Sequence, residues 1–255
     1  MDIIKTIIFG IVEGFTEFLP ISSTGHLILT SRLLDLKQTD FLKSFEIAIQ
    51  LGAILSIIFL YWKSLFRKWE VIKRIITAFI PTAILGLIFY KIFKTYLLNE
   101  IVVLWALFLG GIFLIIFELF YKGKEEGIEG ISNMSYSKSF LIGIFQSVAI
   151  IPGVSRAAAT IIGGLSLGIK RKTIVEFSFL LAVPTMLAAT AFDLSKNINQ
   201  FSLEQVNFLI IGFIVSFIVA IISVKFLLYF IKNNSFISFG IYRIILALLF
   251  WLIIR

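Results

Sequence analysis

Six apolar runs, each near the length of a membrane-spanning helix, follow one another with only short charged intervals: 45–62, 75–93, 101–121, 174–192, 206–231 and 236–254. A helix crossing the bilayer core needs about 20 mostly apolar residues. No single water-facing core could bury so many. Of the 255 residues, 59% are hydrophobic and 15% charged, against roughly 45–50% apolar and about 25% charged in soluble domains. Lipid is therefore the main solvent. The predicted fold class is an all-α polytopic membrane protein. Linkers and low-complexity tracts are missing, so residues 1–255 read as one integral membrane domain.

Two further apolar stretches, 3–31 and 139–168, are interrupted. The first carries Pro20 inside LPISSTGH and the second carries Pro152-Gly153 inside IIPGVSR. Proline removes a backbone donor and breaks a helix. Broken backbone at membrane depth survives only where it is buried in protein or lines a wet cavity. Both stretches are expected to be re-entrant hairpins, each entering and leaving on one side. The stretch from Met1 to Phe9 has no cationic n-region and soon meets Glu13 and Glu17, unlike a cleaved signal peptide.

The order hairpin, three spans, hairpin, three spans puts both termini on one face. The flanks facing the other side are 63–74, 122–138, 170–172 and 225–243, where Arg243 closes the last. They carry 14 cations against 8 on the side of the termini. The bias puts the termini outside. A net charge of +8 is spread over these loops, where it sets topology and meets anionic headgroups. No contiguous basic, water-exposed domain exists for nucleic acid. Cysteine is absent, which excludes disulfides, thiol nucleophiles and thiolate metal sites.

The halves resemble one another. Gly10-Ile11-Val12-Glu13 parallels Gly143-Ile144-Phe145-Gln146, and Phe45-Glu46 parallels Val175-Glu176, at an offset of about 130 residues. Three spans per half would insert the second copy upside down, as inverted repeats of approximately 1–121 and 139–255. Such repeats place their site near the midplane, where the breaks meet.

The breaks carry the chemistry. Glu13 and Glu17 lie four apart, on one face of a helix. Two carboxylates in lipid must be protonated, paired or metal-bound, and Mg2+ or Ca2+ would satisfy both. His26, the sole histidine, follows Ser22-Ser23-Thr24-Gly25; imidazole both takes and gives protons near neutral pH. Pro152-Gly153-Val154-Ser155-Arg156 opens a helix whose first amides favour an anion. Arg156 adds a fork of donors matched to phosphate, and Ser155 and Thr160 add hydroxyls. Each feature has a structural alternative: an Arg–Glu pair, a buried histidine. Glu46, Gln50, Gln146 and Glu176 are secondary candidates, equally readable as helix–helix contacts. Candidate substrate-binding groups are Arg156, Gly153, Ser155, Thr160, Ser22, Thr24 and Gln50.

The segments EGFTEFLPISSTGH (13–26) and PGVSRAAAT (152–160) resemble the two signature motifs of the bacitracin-resistance-type undecaprenyl-diphosphate phosphatases. The second departs from the family pattern at Ala157, usually serine. The likeness extends over the whole chain, including FEIAIQLG (45–52). It implies hydrolysis of undecaprenyl diphosphate to undecaprenyl phosphate and inorganic phosphate, recycling the carrier lipid of bacterial cell-wall synthesis. It further implies divalent-cation dependence and a plasma-membrane site open to the outer face. The active residues it carries over are Glu13, Glu17, Ser23, His26, Ser155, Arg156 and Thr160. The nucleophile stays open among His26, Ser23 and water, and so does the oligomeric state, a homodimer included. A polyprenyl-phosphate transporter is the rival reading, since inverted repeats with midplane breaks are also transporter architecture.

Overall fold

The computed structural model describes residues 1–37, 39–92, 100–121, 127–197 and 203–254. Among them are ten α-helices: α1 (Ile3–Thr16), α2 (Ser23–Leu33), α3 (Asp40–Arg67), α4 (Trp69–Ile92), α5 (Glu100–Phe120), α6 (Tyr136–Ser147), α7 (Arg156–Ser166), α8 (Arg171–Asn197), α9 (Leu203–Phe230) and α10 (Ile237–Ile254). The six predicted runs fall on α3, α4, α5, α8, α9 and α10. The first five of these helices carry apolar windows of 21 to 26 residues, long enough to cross a bilayer. The sixth is shorter, its apolar stretch running Ile237–Leu252.

The interrupted stretches each form two short helices. At about 1.5 Å per residue, the 14 and 11 residues of α1 and α2, and the 12 and 11 of α6 and α7, are too short to cross. The cap chemistry explains where they start. Asp2 accepts from the Lys5 amide at 2.8 Å, Ser22 from Gly25 and Ser155 from Ala158, each satisfying an amide that the helix leaves open.

Packing crosses between the halves. α1 and α3 both lie on α9, α6 and α8 both lie on α4, and α5 pairs with α10. Exchanging α1–α5 for α6–α10 maps these pairings onto one another. Glycine permits the closest approaches. A Cβ on Gly143 would fall 1.9 Å from the Ala78 carbonyl oxygen, and one on Gly52 2.3 Å from that of Phe213. Gly111 and Gly240 face each other where α5 meets α10. Small residues at such crossings let helices pack without a hydrophobic driving force. On α9, Ile210, Ile214, Ile218 and Ile222 are exposed at every fourth position, a stripe that suits lipid.

One expectation is overturned. Arg243 is not a flanking cation: it is 1% exposed, inside the bundle. It leaves the topology tally, because a guanidinium bonded to backbone carbonyls faces no headgroup. Four of the cations counted there, Lys94, Lys122, Lys124 and Arg255, lie outside the described residues. Glu118, near the end of α5, forms a two-pronged ion pair with Arg171 at the start of α8, at 2.6 and 3.0 Å.

Candidate active site

The break between α1 and α2 runs through Glu17–Ser22. Ser22 adopts φ 72°, a conformation rare outside glycine and found where surrounding structure enforces it. The second break runs from Ile151 to Ser155, with Gly153 at φ 90°. A Cβ on Gly153 would meet the Val103 carbonyl oxygen at 2.6 Å, so this loop lies directly on α5.

The two loops touch. Ser155, while capping α7, donates its hydroxyl to the Leu19 carbonyl at 3.3 Å. Glu17 stands between them. Its Oε2 accepts from the Ser23 hydroxyl at 2.5 Å, and its Oε1 accepts from Arg156 Nη2 at 3.3 Å. Arg156 Nη1 donates to the Ser178 carbonyl at 2.8 Å, which fixes the guanidinium plane from α8. Arg156 Nε is buried with no partner. A cavity of about 100 Å3 opens here, lined by Glu17, Ser22, Ser23, Thr24, Gln50, Ser155 and Arg156, with Ala149, Val154 and Met186.

Seven sequence-derived candidates thus share one chamber, and four stand apart. Glu13 is fully buried behind Glu17, and neither carboxylate oxygen has a hydrogen-bond partner. Its charged neighbours are Glu17, Glu46 and Arg156. Thr160 turns its hydroxyl to Ser178 Oγ at 2.6 Å and to the Arg156 and Ala157 carbonyls. Gly153 shapes the loop and offers its carbonyl to Arg243 at 3.0 Å.

His26 does not line the cavity. Its Nδ1 lies 2.7 Å from the Ser22 carbonyl and its Nε2 lies 2.8 Å from the Tyr242 hydroxyl. A carbonyl only accepts, so Nδ1 carries the hydrogen; a neutral ring then accepts the tyrosine proton at Nε2. Among the secondary candidates, Gln50 reaches the chamber. Gln146 donates to Thr82 and Thr185.

Sequence reasoning misses Ser178 and Tyr242 at the site and places Arg243 among the flanking cations. Tyr242-Arg243 interrupts the apolar run of α10, and an arginine inside such a run marks a functional position by default. Ser178 bears no comparable signal.

The family description "Bacitracin resistance protein BacA" matches residues 6–249. The chain belongs to this family. It is 55% identical over 252 residues to an undecaprenyl-diphosphatase of Sulfurihydrogenibium sp., covering 99% of each chain. A protein of the same name from Persephonella marina is 53% identical over 254 residues, 100% of both chains. One from Aquifex aeolicus is 53% identical over 247 residues, 96% of both. Both signature segments lie inside the matched region, as do both loops of the chamber.

Proposed function

We infer that the chain is a membrane hydrolase that cleaves undecaprenyl diphosphate to undecaprenyl phosphate and inorganic phosphate. One observation carries this reading at the site: a serine hydroxyl, a carboxylate and an arginine converge on one cavity between two helix breaks.

Phosphoryl transfer asks mainly for positioning and charge stabilisation. The Arg156 guanidinium, anchored by Glu17 and Ser178 at the chamber wall, donates its remaining Nη hydrogens to a terminal phosphate oxygen. The amides opening α7 add a partial positive charge. Ser23 Oγ attacks the terminal phosphorus as Glu17 takes its proton. The bond from that phosphorus to the bridging oxygen breaks, and undecaprenyl phosphate departs. Glu17 sheds its proton to solvent, then takes one from a water that attacks the phosphoserine. Inorganic phosphate leaves, and Ser23 Oγ recovers a proton. The Ser23–Glu17 contact supports this assignment over attack by His26, whose ring nitrogens face Ser22 and Tyr242.

A divalent cation fits the residues present. Among the described residues no cluster of three or more His, Asp or Glu forms a ready cage, and Mg2+ characteristically binds one or two carboxylates plus substrate phosphates. Glu13, with two orphaned oxygens, and Glu17 are the groups that would hold it. When bound, it would neutralise charge developing on the transferred phosphoryl group.

The interchange of helix pairings supports one membrane domain of two inverted repeats, 1–121 and 139–255, with both hairpins re-entrant. The chamber is taken to open to the outer face of the plasma membrane, on the side of the termini. Purified protein should release phosphate from a C55 diphosphate, and chelator should suppress it. A single turnover quenched in dodecyl sulfate at neutral pH, where phosphoserine and phosphohistidine both survive, should leave phosphate on Ser23. Phosphate found on His26 instead, or retained turnover in Ser23→Ala, would overturn the serine mechanism. Transport without phosphate release would overturn the hydrolase.

A further inference from the structure

Arg243 is the largest fully buried side chain among the described residues, and nothing in the reaction above uses it. Each of its three nitrogens donates to backbone carbonyls. Nη1 reaches Pro20 at 3.4 Å, and Nη2 reaches Gly153 at 3.0 Å and Ala106 at 2.9 Å. Nε reaches Leu107 at 3.3 Å. No ion pair to a carboxylate is formed, among the described residues. Burying a guanidinium without a counter-ion is costly unless hydrogen bonds compensate it. Space is made for it deliberately: a Cβ on Gly110 would fall 2.2 Å from Nη2.

The four carbonyls are not a random set. Pro20 belongs to the first break and stands three residues before Ser23. Gly153 belongs to the second and stands three residues before Arg156. Ala106 and Leu107 belong to α5, against which the second loop lies. One rigid fork therefore ties the loop leading to the hydroxyl to the loop leading to the phosphate donor, and both to a spanning helix.

We propose that Arg243 is a positioning residue for hydrolysis, setting the distance and angle between Ser23, which follows one loop, and Arg156, which follows the other. The proposal rests on the in-line reading given above. Arginine suits the task because its planar fork serves several acceptors in fixed directions, whereas lysine is a single flexible point charge. Arg156 and the first α7 amides all follow directly from the second loop, so substrate binding survives loss of the tie. Attack needs the first loop in register, so turnover does not. A misplacement of about 1 Å can cost on the order of 10²-fold in rate.

The absence of cysteine makes a direct test available. Spin labels at Leu33→Cys, on the end of α2, and Val148→Cys, just before the second loop, sit at exposed positions. Their distance distribution is measured in wild-type, Arg243→Met and Arg243→Lys backgrounds, beside kcat, KM and thermal midpoint in detergent. The expected result is a broadened distribution in both variants. It is accompanied by a kcat lowered about 100-fold, with KM within a few-fold of wild type. If Arg243→Met does not fold, Arg243→Lys alone decides. Wild-type kcat in folded Arg243→Lys, or a broadened distribution with undiminished kcat, would overturn the proposal. So would a lowered thermal midpoint with kcat per folded molecule unchanged. A wild-type protein that releases no phosphate would sink the hydrolase reading, and the distance measurement would still report whether the fork holds the loops.

Discussion

Glu17 is the most heavily engaged carboxylate in the chamber, serving Ser23 with one oxygen and Arg156 with the other. Replacing Arg156 by alanine removes both the clamp on phosphate and the partner of a buried carboxylate. Turnover should fall on the order of 10²-fold or more; steady-state phosphate release by a folded Arg156→Ala protein checks this. Glu17→Gln should be equally damaging, because an amide accepts no proton from Ser23. Near-normal kcat in that variant would remove Glu17 as the base. At this scale much was legible in advance. Glu17, Ser23 and Arg156 announce themselves as polar groups in apolar surroundings. What their spacing could not convey is direction. His26 follows the same hydroxyl-rich turn, yet the φ of Ser22 and the helical start at Ser23 turn the imidazole toward Tyr242, 216 positions away in sequence. Likewise Thr160, one turn beyond Arg156, spends its hydroxyl on Ser178. Partners this remote carry no local pattern.

The helices themselves were readable from hydropathy and proline. The crossings were not, because they depend on which glycines face which backbone. Gly143 is the sharpest case, with α6 lying so close to α4 that a methyl group would overlap the Ala78 carbonyl. Gly143→Ala should push the helices apart and lower stability by about 1–3 kcal/mol, read as a drop in thermal midpoint. By contrast Gly86→Ala should be harmless, since nothing lies within 4 Å of a Cβ there. The α5–α8 junction depends on charge instead. The side chains of Glu118 and Arg171 are 3% and 21% exposed, and Arg171 also lies over the Phe236 ring at 4.7 Å. Glu118→Ala strands this cation and should cost about 3 kcal/mol. Glu118→Ala with Arg171→Met should recover part of the loss, since removing both charges is less damaging than removing one.

For the whole molecule, one loop contact responds to pH. Glu129 accepts from Lys170 at 2.6 Å, and that bond holds its carboxyl below the ordinary value of 4.5. A lowered carboxyl stabilises the fold above that value, and the contribution is lost as the pH falls through its folded-state value. The pair is exposed, so the effect is small. The thermal midpoints of wild type and Glu129→Gln should differ slightly at pH 7 and converge in acid. A gap that does not shrink as the pH is lowered would contradict the assignment.

The way α9 lies against both α1 and α3 bears on how the chain is made. The carboxylates of α1 leave the ribosome first, but Arg156 emerges 139 residues after Glu17, and α9 later still. Until then the opening helix has neither its cation nor α9, whose Gly212 and Ser216 carbonyls lie against Gly10 and Gly14. The early segments must wait in the translocon's vicinity, shielded by something other than their final neighbours. A chain halted before residue 203 should therefore be a substrate for membrane proteolysis rather than a half-sized, separately stable product.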